Sequence, residues 1–147
     1  MIDWTLRIMN ASDVKTIMAA DVFDGPPRED WVTTFLATPG HHLILAEDGS
    51  GQAVGFISGV EMTHPDKGTE MFLYELGVNE DARNQGIGRA LVRALWDLAQ
   101  ERGCYGMWGL TETDNKAAQR TYIAAGAHLE MSGTVIISMD ERSVPVQ

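Results

Sequence analysis

One cysteine, Cys104, stands in 147 residues, so no disulfide within the chain and no zinc finger or ribbon is possible. His41, His42, His64 and His128 lack the spacing of metal ligands, so no metal is expected. No apolar run approaches the ~18 residues of a membrane helix. The N-terminal MIDWTLRIMN has neither a basic flank nor an apolar stretch, so no secretory signal is read there and a cytoplasmic location is expected. Repeats and low-complexity tracts are also missing. A soluble composition with 44% hydrophobic residues therefore reads as one domain over 1–147, large enough to bury a core unaided.

Basic residues are scarce: 11 Lys+Arg against 21 Asp+Glu give a net charge of −10. Nucleic acid is a poor partner for such a chain, because phosphate neutralisation needs a basic face. The excess is also one-sided. Residues 1–81 carry 14 acids and 4 bases, whereas residues 82–147 carry 7 of each. An acidic surface that aids solubility is one reading. A cationic ligand held by the first half is the other.

Hydrophobic periodicity gives a strand over 5–9 and a helix from Asn10 or Ser12 through Val22, broken at Asp24-Gly25-Pro26-Pro27. A helix over 29–37 and strands over 43–46, 53–62 and 71–78 follow, with turns at 48–51 and 64–68. In the last strand, strict alternation puts Phe72, Tyr74, Leu76 and Val78 on one face and Met71, Leu73 and Glu75 on the other. Ile87, Ala90, Leu91, Ala94, Leu95 and Leu98 make one apolar helical stripe ended by Gly103. A strand over 104–110 precedes a helix capped by Thr113 or Asp114 and stopped at Gly126. Two short strands are expected at 127–130 and 134–139.

The segment from Val78 to Ala90 carries the chemistry. A strand enters a loop, and the loop opens the strongest helix through Gly86 and Gly88. The first N–H groups of a helix are unpaired and carry partial positive charge, which suits a phosphate. Glycine lets an anion approach that backbone. Arg83 and Arg89 add cations beside it. No Gly-Lys-Ser/Thr follows, so it is not a Walker loop, and the third glycine of a dinucleotide fingerprint is missing. A turn and a tight helix contact would also account for the two glycines.

Arg83-x-x-Gly86-x-Gly88-x-Ala90 after a strand resembles the acetyl-CoA pyrophosphate loop of the GNAT superfamily of N-acetyltransferases. Asn115-x-x-Ala118-x-x-x-Tyr122-x-x-x-Gly126 resembles the family's following helix. Leu6-Arg7-Ile8, Phe72 to Val78 and Ala117 to Tyr122 look most like the short aminoglycoside 3-N-acetyltransferases, with Glu75 where that group usually has Asp.

The resemblance implies an α+β fold, a mixed and mainly antiparallel sheet flanked by helices, with acetyl-CoA as donor. It implies cofactor contacts from Val78, Arg83, Gln85, Gly86, Ile87, Gly88, Arg89 and Ala90, joined by Asn115, Ala118 and Tyr122. Strands 71–78 and 104–110 should splay to admit the pantetheine arm. Tyr122 would protonate the leaving thiolate, and as a core aromatic on its helix it could pack its ring while its hydroxyl faces the cleft. Val78 would offer its N–H to the acetyl oxygen. Asn115 would serve the pantetheine arm or cap its helix.

Glu75 is the candidate base or amine anchor, a lone acid in an apolar strand whose burial would raise its pKa. Asp21, Asp24, Glu29 and Asp30 cluster between the first two helices, where carboxylates suit ammonium groups. Asp24 is the foremost contact, with Tyr74 and Trp31 as further substrate-binding candidates. The expected acceptor is a small cationic amine, an aminoglycoside acetylated on its 3-amino group, a reaction that would give antibiotic resistance. A polyamine, another small amine, a protein N-terminus or a non-catalytic acetyl-CoA sensor are the alternatives. A lone Cys104 without an activating histidine makes an acetyl-cysteine intermediate the lesser reading. A homodimer is expected.

Overall fold

The computed structural model of the chain describes residues 1–131 and 133–139. Five strands form one sheet in chain order: β1 (Trp4–Ile8), β2 (His41–Asp48), β3 (Ala53–His64), β4 (Gly68–Val78) and β5 (Met107–Gly109). The first four pair antiparallel and β5 joins β4 in parallel. Helices α1 (Val14–Met18) and α2 (Glu29–Ala37) cover one face, and α3 (Ile87–Glu101) and α4 (Lys116–Ala124) the other. This is the mixed, mainly antiparallel α+β architecture read from the sequence.

Alternation on β2 and β3 divides the core in two. Ile44, Ala46 and Ile57 point toward α3 and meet Leu91 and Leu95 of its stripe. Leu43, Leu45 and Phe56 point toward α1 and α2 and meet Ile17 and Val32. Gly59 exists because β3 touches the helix layer there: an added Cβ would lie 2.9 Å from Met71 Sδ and 3.0 Å from Leu95. Cys104 is buried in the α3 layer, and burial pushes its thiol pKa up, which leaves it a poor nucleophile.

Three acids of the first half, Asp13, Glu47 and Glu61, brace this frame. Arg7 ties β1 to Glu47 at 2.7 Å and to Asp13 at 2.8 Å. Asp13 closes a capping box with Asn10, whose N–H bond is the main cause of its lowered pKa. Glu61 accepts from His42 at 2.6 Å and from Arg102 at 2.5 Å. Burial opposes its ionisation, yet the two partners outweigh burial and hold its pKa below the ordinary value.

Several boundaries differ from the sequence reading. The first helix stops at Met18 rather than running to Val22, because the chain turns so that Val22 enters the core and Asp21 O meets Asn79 Nδ2 at 3.1 Å. The strand expected over 104–110 shrinks to the three residues of β5. Asn115, not Thr113 or Asp114, caps α4. The segments 127–130 and 134–139 form no strand. Their apolar residues favour extension, but a strand needs a paired strand, and no ladder joins either segment to the five-stranded sheet.

Candidate active site

The ladder between β4 and β5 ends at Leu73↔Gly109, while β4 runs on to Val78. From Tyr74 onward one edge of β4 is therefore unpaired, which is the splay expected between these strands. The Asn79 N–H bonds Val54 O on the β3 side at 2.9 Å, so strand alternation turns the Val78 N–H toward the open side. The Val78 side chain packs into the α3 core.

A bulge at the same point re-aims the strand. Ser58 faces Glu75 and Gly59 faces Leu73, which leaves Tyr74 as an extra residue on β4. Met71 and Leu73 lie in the α3 core before it, and Leu76 and Val78 pack against that same core after it. Tyr74 and Glu75 consequently both line a cleft on the α1–α2 side, with Phe23, Trp31, Phe35 and Phe56. The expected partition of this strand, with Glu75 beside Met71 and Leu73, is corrected by that one residue, because a bulge reverses the alternation.

The cleft measures about 270 Å³, and Ser58 and Glu75 are among the residues that line it. Burial first, and then the neighbouring Asp24 charge and hydrogen bond, raise the Glu75 pKa above the ordinary carboxylate value. Two carboxylates sharing one site favour a shared proton or a bound cation. Tyr74 is 66% exposed and Trp31 62%, so both present their rings to a ligand. Arg28 lies over the Trp31 ring at 3.9 Å and bonds Asp30 at 2.7 Å. Asp30 is thus occupied by its own arginine, and only Asp24 of the expected acidic cluster bonds Glu75.

Beyond Val78, a short turn (Glu80–Ala82) leads to Asn84 and Gly86, both left-handed, with φ 62° and 82°. Gly86 caps α3, and its exposed position leaves the helix N-terminus open. Gly88 has another reason: a Cβ there would meet Thr121 Cγ2 at 3.0 Å, so it sets the approach of α4 to α3. Ile87 is buried below the loop, and Ala90 is half-buried. Arg89 is exposed and forms no ion pair among the described residues. Arg83 donates from Nε to Val78 O at 3.1 Å, and Gln85 accepts from the Ile2 N–H at 2.9 Å. Replacing Gly86 by Ala should cost about 1–2 kcal/mol, the strain of a Cβ in that conformation. Denaturant unfolding measures the loss, and an unchanged midpoint would remove the requirement.

On the other side of the splay, Asn115 Oδ1 caps α4 through the Ala118 N–H at 3.0 Å, so capping is its observed use. Ala118 and Tyr122 are half-buried on that helix. The Tyr122 ring packs against the α3 core, and burial raises its phenol pKa. Its hydroxyl makes no hydrogen bond among the described residues.

Two polar residues escaped the sequence reading. Gln119 is 8% exposed and donates from Nε2 to Glu112 O and Thr113 O, pinning the loop before α4. Asn79 ties the cofactor-side loop to the acceptor-side connector through Asp21 O. A polar residue within the α4 stripe was a visible signal for the first, whereas nothing in the sequence pointed to the second.

The fold sets an open helix N-terminus, a free strand edge and a half-buried acid along one strand. Residues 8–127 match the acetyltransferase (GNAT) family, and the chain belongs to that family. The family uses acetyl-CoA, and the open loop at α3 and the free β4 edge suit its phosphates and its amide-bearing arm. The rat (Rattus norvegicus) N-acetyltransferase 8F1 is 25% identical over 134 residues, 84% of this chain and 60% of that protein. Rat N-acetyltransferase 8B is 29% identical over 80% of this chain and 52% of its own length. The chain thus spans between a third and three-fifths of the length of the curated relatives it matches. Among solved structures, an aminoglycoside acetyltransferase from an uncultured soil metagenomic sample, complexed with trehalose, superposes with a TM-score of 0.79 at 15% identity. That match covers 93% of this chain and 97% of the other. The aminoglycoside N-acetyltransferase AAC(6')-Iy in complex with CoA gives a TM-score of 0.74 at 20% identity, over 96% and 97%. No helix among the described residues is long and apolar enough to cross a membrane.

Proposed function

We propose that the chain transfers the acetyl group of acetyl-CoA to a primary amine held at Glu75. The observation that carries this reading is the Glu75–Asp24 pair at the point where β4 leaves β5. The donor, when bound, supplies a thioester carbonyl. Phosphates suit the α3 N-terminus, with Arg83, Arg89 and the backbone from Gln85 to Ala90 around them, and the arm suits the β4 edge with Asn115 and Ala118 opposite. An ammonium forms charge-assisted hydrogen bonds with Glu75 and Asp24. Glu75 then takes the proton the amine must lose before it can attack, directly or through water. The Val78 N–H meets the oxygen that becomes negative as the C–N bond forms. The Tyr122 hydroxyl gives its proton to the sulfur as the C–S bond breaks, and the second proton of the nitrogen returns to the Tyr122 oxygen, directly or through water, while the first leaves Glu75 to solvent. One amide and one thiol result.

A second reading takes the acceptor as an aminoglycoside. It is favoured by the carboxylate pair and by fold neighbours such as the soil enzyme solved with sisomicin. Two of these neighbours, AAC(6')-Iy and AAC(6')-Ih, are named for the 6' position, so the 3-amino position rests on the sequence resemblance alone. Polyamines, other small amines and protein N-termini share the ammonium chemistry, and resistance, a cytoplasmic location and a homodimer belong to the same proposal. Thiol release from acetyl-CoA over kanamycin, spermidine, a short peptide and simple amines tests the transfer. Release should depend on the amine. Acetyl-CoA binding without release to any amine would leave the sensor reading in its place. Asp24→Asn should raise the amine KM about tenfold with a smaller change in kcat, as expected for one lost charged contact. An unchanged KM would take Asp24 out of the acceptor site.

A further inference from the structure

The acceptor cleft has the wrong walls for a polycation. In a chain with only 7% aromatic residues, Phe23, Trp31, Phe35, Phe56 and Tyr74 converge on one cleft of about 270 Å³. That volume lies at the small end of ligand sites, about 300–1,000 Å³. Its polar side chains are Glu75 and Ser58 within and Arg28 at the rim. Asp21, Asp24 and Glu29 do not line it, Asp24 reaching it only through its contact with Glu75, and Asp30 is bonded to Arg28. A molecule with several ammonium groups finds no second carboxylate in the cleft lining: its further charges would face apolar rings, the Arg28 guanidinium held by Trp31 and Asp30, or solvent.

We propose that the acceptor is a monoamine bearing one aromatic or branched apolar group a carbon or two from nitrogen. The ammonium bonds Glu75 and Asp24, the apolar group fills the space between Phe56 and the exposed rings of Trp31 and Tyr74, and Arg28 rejects a second positive charge. This assignment rests on the amine-transfer reading above.

The test is thiol release by the purified chain at saturating acetyl-CoA, with ethylamine, phenethylamine, spermidine and kanamycin as acceptors. Phenethylamine should exceed ethylamine in kcat/KM by about 100-fold, the worth of a buried ring, and should exceed kanamycin and spermidine by at least about tenfold. Trp31→Ala should reduce the preference for phenethylamine over ethylamine about tenfold, and Tyr74→Ala gives a second reading of the same wall. Arg28→Gln should narrow the gap between phenethylamine and spermidine. Equal turnover of ethylamine and phenethylamine, or kanamycin ahead of both, would overturn the substrate class and leave amine transfer standing. Release with no amine would overturn both.

Discussion

Replacing Glu75 by Gln should lower kcat/KM by about 10²–10⁴-fold, the usual worth of a positioned general base. The amide keeps the shape and one acceptor oxygen but cannot take a proton. Burial and the Asp24 neighbour raise the wild-type carboxyl pKa, which brings it closer to the pKa of an efficient base near neutrality. The acid limb of the wild-type kcat/KM profile should therefore lie above the ordinary carboxylate range and disappear in the variant. Stability should move the other way. Between the ordinary value of 4.5 and the raised folded value, the folded protein holds a proton that the unfolded chain has lost. Stability contributed by this group is thus lost as pH rises through that window, and above it the ionised carboxylate is a standing cost. Glu75→Gln should melt higher than wild type at pH 7, with the difference closing near pH 4. A variant with wild-type rate and pH dependence would remove Glu75 from proton transfer.

Tyr122→Phe should lower kcat by about 10²-fold while the acetyl-CoA Kd stays the same. Burial raises the phenol pKa, so the hydroxyl keeps its proton through neutral pH and can donate it. The ring packs on the α3 core and its hydroxyl bonds no described residue, so Phe preserves the packing and leaves no partner orphaned. Melting temperature should stay close to wild type, which separates an acid role from a structural one. Single-turnover thiol release with calorimetric binding measures the split. An unchanged kcat would return Tyr122 to the core.

These two residues differ in how they could be read from the sequence. Tyr122 sits on a periodic helix, where i, i+4 spacing fixes its face whatever the fold does elsewhere. Glu75 was visible as a lone acid among apolar neighbours, but its face was not. Period two assumes an unbroken ladder, and the unpaired Tyr74 shifts every later residue to the other side. A bulge leaves no necessary mark in composition, since any residue that tolerates the local backbone will serve. Acids were harder still. Asp24 and Asp30 look alike in sequence, yet one bonds Glu75 and the other is held by Arg28 two residues away.

The scarcity of basic residues in the first half gains a different meaning from this. Arg7, and Arg102 from the second half, pair with Asp13, Glu47 and Glu61 from segments far apart in sequence, so these three acids belong to the frame rather than to a polycation site. By itself the sequence determined the long helix over 87–101 and the left-handed turn at Gly86 that opens it, because helical periodicity and left-handed turns are local properties of the chain. Only the tertiary structure decided which face Glu75 shares, which acid it meets, and that the cleft is walled by rings. Those are consequences of pairing between distant strands, and pairing is settled by the whole sheet.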